Sequence, residues 1–226
     1  MKNKLWVFGC SFSTGMNLIN PRDEDTLRIS WPYVLADKLD LELVNSARPG
    51  QCNWVSILQF IDKRDEIQKG DVVVFEFTFF DRFNVYPTRA QLIDLEAFFI
   101  QHKYDLNNVM QEYKDINFNW FKKQILKWCV DNDINLYVWS TEGQTHVEFK
   151  RYMDIINFIP APNSTKDKLN YSFYVKWQND TIDQHIVKEN GEIDRHFNEL
   201  GHERVANHLY KTINENIYNV VNNKLT

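Results

Sequence analysis

The sequence has no apolar run of the roughly 18 residues that would cross a bilayer. Its N-terminus, MKNKLWVF, meets the polar stretch FGCSFS before it can build the apolar region of a secretory signal. These absences point to a soluble cytoplasmic chain with no membrane partner, and leave association with a virion open. Cysteine is scarce: Cys10, Cys52 and Cys129 are odd in number and lack C-x-x-C spacing, which argues against a disulfide framework or a zinc ribbon. They read as free thiols. The net charge is −5 and the Lys and Arg residues are scattered, so the cationic stripe of a nucleic-acid binder is missing. His102, His146 and His185 show no metal-ligand spacing, and neither a metal nor another cofactor is expected. Glycine is scarce too, with seven in 226 residues, yet Gly9 and Gly15 bracket a cluster of small hydroxyl and thiol side chains, CSFST.

What is present is apolar and aromatic, 43% and 15% of the residues, enough to bury one substantial core. The run KLWVFG (4–9) predicts a short buried strand, because a run of this length ended by Gly is too short for a core helix. Ser30 ahead of Trp31-Pro32 predicts a capped helix over WPYVLADKL. LELVNS (41–46) predicts a second strand. Asn53 is expected to cap the amphipathic segment that closes at Gly70. DVVVFEF (71–77) has the near-continuous apolar run of a strand buried on both faces. A weakly patterned helical region near 88–114 follows, then helical spacing in NFNWFKKQILKWCVDND and a fourth strand in NLYVWS (135–140). A short fifth strand is expected on one side or the other of the loop FIPAPNSTKDKLN, and NELGHERVANHLYKTINENIYNVV closes the chain as a helix. Strands alternating with helices predict a three-layer α/β/α sandwich around a mostly parallel sheet of about five strands, flavodoxin-like in type. The chain reads as a single domain over 1–226, with 143–190 set aside as a lid or insertion.

In such a sheet ligands bind beyond the carboxyl ends of the strands. The loops there carry GCSFSTG after the first strand, NSARPGQCN after the second, TFFDR after the third and STEGQ after the fourth, with IDRHFNELGHERVA ahead of the last helix. Together they offer a hydroxyl nucleophile, an imidazole, a carboxylate and oxyanion donors. The set resembles the SGNH (GDSL-type) hydrolase family. The family's first block, Gly-Asp-Ser-x-Ser, corresponds to Gly9-Cys10-Ser11-Phe12-Ser13, and its second-block Gly to Gly50. The last block corresponds to Asp194-Arg195-His196 with Gly201-His202. Ser30-Trp31-Pro32 before Leu35-Ala36 is similar to a subgroup with Cys in place of the first-block Asp. One block departs: the strand followed by Gly-x-Asn-Asp aligns Thr78 with the Gly, Phe80 with the oxyanion Asn and Asp81 with the final Asp.

The resemblance implies a serine esterase or deacylase. Ser11 would be the nucleophile, His196 the general base and Asp194 its orienter, with Glu192 and Asp183 as substitutes for the carboxylate. Gly50 and the Ser11 N–H would hold the oxyanion, and Asn53 or the Thr78 hydroxyl would stand in for the missing Asn. The substrate would be an ester on a carbohydrate or small molecule. Two readings compete on the same scaffold: an acyltransferase, with 143–190 excluding water, and a catalytically weak binding module. Arg82 and Arg48 flank the rim as contacts for an anionic group or as ion-pair partners. Cys10 reads as a small buried residue rather than a thiol nucleophile, Gly15 as a turn residue and His202 as packing or capping. Gly50 also suits a type II turn after Pro49, where positive φ is wanted.

Overall fold

The structure is a computed structural model that describes residues 2–15, 27–78, 106–140, 157–159 and 196–223. Five parallel strands form one sheet: β1 (Lys4–Phe8), β2 (Glu42–Asn45), β3 (Val72–Phe77), β4 (Asn135–Ser140) and β5 (Asn157–Phe158), in the order β2-β1-β3-β4-β5. The described helices are α1 (Trp31–Leu39), α2 (Asn53–Lys63), α3 (Leu106–Trp120), α4 (Lys127–Asp131) and α5 (Glu199–Asn223). A π-helical stretch, Phe121–Leu126, joins α3 to α4.

The alternation of side chains along the strands builds the layers. Trp6, Phe8, Val73, Phe75 and Phe77 face one side and pack with Ile57 and Phe60 of α2 and with Phe118 of α3. Leu5, Val7, Val72, Val74 and Trp139 face the other and pack with Leu35 of α1 and with Val205, Leu209 and Ile213 of α5. Helices thus cover both faces of a parallel sheet, the expected three-layer sandwich. Both faces of β3 are buried along its whole length. At the amino edge, Asp71 closes the sheet: its carboxylate accepts from the Lys4 N–H at 2.8 Å, the Trp6 indole N–H at 2.9 Å and the Gln68 N–H at 3.0 Å.

Three local expectations change. Cys52, not Asn53, holds the cap position of α2, and Asn53 is the first helical residue, its amide drawn away to β3. The α2 helix stops at Lys63 and passes into a 3₁₀ turn, Arg64–Glu66, instead of running to Gly70. Ser30 precedes α1 as expected, with Pro32 in the first turn, but its hydroxyl caps nothing and is buried without a partner. The Trp31 N–H donates instead to Nδ1 of His202 on α5, at 3.2 Å. A tertiary acceptor thus serves the first N–H of the helix. The fifth strand lies on the amino side of the loop that made it ambiguous, at Asn157–Phe158. The expected lid or insertion at 143–190 lies outside the described residues, apart from 157–159.

Candidate active site

Strand order reverses between β1 and β3, where chain connections leave in opposite directions and open a crevice at the carboxyl edge. The first-block loop leaves β1 into this crevice. It forms a single 3₁₀ turn, Ser11–Ser13, whose residues are all buried.

Every carbonyl of this loop from Gly9 to Ser13 has a donor. Gly9 O accepts from the Arg48 N–H at 3.4 Å, and Cys10 O from the Ser13 N–H at 3.0 Å. Ser11 O accepts from the Thr14 N–H at 3.2 Å and its hydroxyl at 2.9 Å. Phe12 O accepts from the Trp31 indole at 3.0 Å and Ser13 O from the Asn45 amide at 2.8 Å. A loop held at so many points presents one conformation to a substrate. Among the described residues the Ser11 N–H has no acceptor.

The Ser11 hydroxyl lies 2.6 Å from Nε2 of His196, across 185 positions of sequence. Its other contact, to the Cys10 sulfur, is 4.0 Å long, so the imidazole is its close partner. The half-buried His196 ring lies over Phe12, with centroids 4.8 Å apart, and Phe197 meets the same Phe12 edge-on at 5.1 Å. Phe12, braced by Phe197, thus lies against one face of the imidazole.

Asn198 accepts from the Gly201 N–H at 2.8 Å through its side chain, starting α5 directly behind the histidine. His202, one turn further on, is fully buried. Burial, and then the nearby His196, pull its pKa down to about 3, so it stays neutral and serves α1 as an acceptor. The packing or capping role expected for it is the one it has.

Gly50 sits in the turn closed by the Gln51 N–H on Arg48 O, with φ of 71°, as a Pro-Gly type II turn requires. The Arg48–Gly9 hydrogen bond ties this turn to the Ser11 loop. Asn53 is fully buried and grips the end of β3: its Nδ2 donates to Thr78 O at 3.1 Å and its Oδ1 accepts from the Thr78 N–H at 2.8 Å. Ser11, His196, Gly50, Asn53 and Thr78 therefore share the carboxyl edge of β1–β3. Asp194, Arg82, Phe80 and Asp81 lie outside the described residues, as do the substitute carboxylates Glu192 and Asp183.

One residue of the site escaped the sequence reading. Glu76 is a wholly buried carboxylate at the carboxyl end of β3 that hydrogen-bonds Cys10 and Ser13 on either side of Ser11. The signal was a single acid inside an otherwise apolar run, VVVFEF. Among the described residues no cluster of three or more His, Cys, Asp or Glu could hold a metal ion, and no helix is long and apolar enough to cross a membrane.

No protein-family model matches the sequence, and no curated protein matches it. Solved structures do match in fold. The chain is similar to the psychrotrophic esterase EstA of Pseudoalteromonas sp., at 11% identity over 96% of this chain and 99% of that one, with a TM-score of 0.52. A carbohydrate esterase is similar at 12% identity over 94% and 68% of the two chains, with a TM-score of 0.53. A G-D-S-L family protein from Desulfitobacterium hafniense DCB-2 aligns at 12% identity over 93% and 99%, with a TM-score of 0.49. The chain shares its fold, a parallel sheet between two layers of helices, with these structures.

Proposed function

We propose that this chain, built on the sandwich of the SGNH hydrolases, is a serine esterase that removes an acyl group from a carbohydrate or small-molecule alcohol. The observation that carries the reading is the 2.6 Å contact between the Ser11 hydroxyl and His196 Nε2 at the switch point of the sheet. In this reading Nε2 is unprotonated and takes the Ser11 proton as Oγ attacks the ester carbonyl. The oxyanion is held by the Ser11 and Gly50 N–H groups, with the Asn53 amide or the Thr78 hydroxyl in place of the absent Asn. His196 returns the proton to the departing alcohol. Water, activated by the same imidazole, then releases the acyl group from Ser11.

Asp194, two positions before the base, is the carboxylate assigned to hold the imidazole tautomer. Arg82 is assigned to an anionic group of the substrate. With Phe80 where the family has its oxyanion Asn, turnover is expected to be roughly 100 to 1000-fold below that of a site with the full donor set.

The test is hydrolysis of p-nitrophenyl acetate. Ser11→Ala and His196→Ala should each reduce the rate to the level of buffer, and a fluorophosphonate probe should label the native chain at Ser11 alone. A rate unchanged by Ser11→Ala removes the reading.

A further inference from the structure

Glu76 is 0% exposed, in a strand whose other members are all apolar. Burying a carboxylate there is costly, and an apolar residue of similar size would pack at less expense. The hydrogen bonds described for Glu76 all end on the loop that carries Ser11. Oε2 accepts from the Cys10 N–H at 3.0 Å and from the Ser13 hydroxyl, and Oε1 accepts from the Cys10 thiol at 3.0 Å. An ionised carboxylate, which only accepts, suits these three donors together.

The carboxylate grips the residue before the nucleophile and the residue two after it, and leaves the nucleophile itself untouched. The approach leaves no room for a side chain at Gly9. A Cβ there would overlap Glu76 Oε2, lie 2.7 Å from Glu76 Cβ and come within 3.0 Å of Ser13 Oγ. Glycine at position 9 and the acid at position 76 are thus two halves of one contact. With the Cys10 N–H drawn toward β3, the chain turns so that the next amide, that of Ser11, is left without an acceptor. The resemblance places an acid at position 10; here position 10 is a thiol, and the acid comes from the neighbouring strand.

We propose that Glu76 is a positioning residue for the nucleophile: by holding Cys10 and Ser13 it sets the Ser11 hydroxyl against His196 and aims the Ser11 N–H at the developing oxyanion. This rests on the esterase reading of Ser11. It goes beyond that reading by assigning a role to a residue outside the Ser11, His196 and Asp194 set. Misplacing a nucleophile and an oxyanion donor by about 1 Å costs roughly 100-fold in turnover. Replacing the acid by its amide keeps the shape and one acceptor oxygen, so the variant should still fold, at reduced stability.

The experiment is steady-state hydrolysis of p-nitrophenyl acetate by wild type, Ser11→Ala, Glu76→Gln, Ser13→Ala and the Glu76→Gln/Ser13→Ala double variant, with a thermal melt of each. Glu76→Gln should stay folded but melt below wild type, because its amide nitrogen cannot accept from the Cys10 or Ser13 donors. Its kcat should fall roughly 100-fold while KM stays within about twofold. Ser13→Ala should cost less, and the double variant no more than Glu76→Gln alone, because both act through one carboxylate.

Turnover that depends on Ser11 but survives Glu76→Gln, or losses that multiply in the double variant, overturns the proposal and leaves the esterase reading standing. Turnover indifferent to Ser11→Ala overturns both. If Glu76→Gln does not fold, Ser13→Ala decides alone: a lower kcat at unchanged KM supports the proposal, and an unchanged kcat overturns it.

Discussion

Asn53 spends both ends of its carboxamide on the main chain of Thr78, acting as a strand partner would for the last residue of the β3 arm. A local reading assigns an Asn at a helix start to capping, because its short side chain reaches the first free N–H groups. Nothing in the neighbouring residues reveals that it pairs 25 positions away instead. Glu76 shows the converse: its acid was visible in the sequence, but its partners lie more than 60 positions earlier. Ser11, His196 and Gly50 were legible because residue type and block order mark them. Removing the Asn53 carboxamide strands two buried backbone groups, each costing about 1 to 3 kcal/mol. Asn53→Ala is therefore expected to lower unfolding stability by about 2 to 6 kcal/mol in urea titrations, with an unchanged m-value.

Among the elements, α1 and β4 follow the sequence reading to the residue, at Trp31–Leu39 and Asn135–Ser140. The Pro32 start signal and the unbroken NLYVWS run are strong and local. The α2 helix was overextended because the residues after Lys63 keep helical composition, although the backbone tightens into a 3₁₀ turn there. Ser30 and Pro32 mark the start of α1 as expected, although the Ser30 hydroxyl makes no cap hydrogen bond. The first N–H of α1 is served by His202 of α5, so two helices far apart in sequence share one buried imidazole.

That imidazole makes the α1–α5 layer sensitive to acid. Burial lowers the His202 pKa from the ordinary 6.5 to about 3. Between those values the unfolded chain binds a proton that the folded chain refuses, so stability rises with pH across the window and is lost as pH falls through it. Melting temperatures should decline from pH 7 to pH 4 in wild type. The decline should be shallower in His202→Gln, which keeps an acceptor for Trp31 without a titrating ring.

At the scale of the whole molecule, all three cysteines are buried and none forms a disulfide, and burial pushes the Cys129 pKa up to about 12. The fold therefore owes nothing to covalent links among these cysteines, and reductant should leave the melting temperature unchanged. Ellman's reagent should titrate close to no thiol in the native chain and three in guanidinium, since only an exposed thiolate reacts.

The three-layer order was legible as a whole because hydrophobic runs alternate with helical spacing along most of the chain. The detail of the rim was not, since each of its contacts joins separate loops. The pairing of Ser11 with His196 has a consequence for synthesis on the ribosome. Ser11 is synthesised first, and the imidazole it contacts follows 185 residues later. At about 5 to 20 residues per second, roughly 10 to 40 seconds of elongation separate the two, so the Ser11–His196 contact forms only after both distant partners have been made.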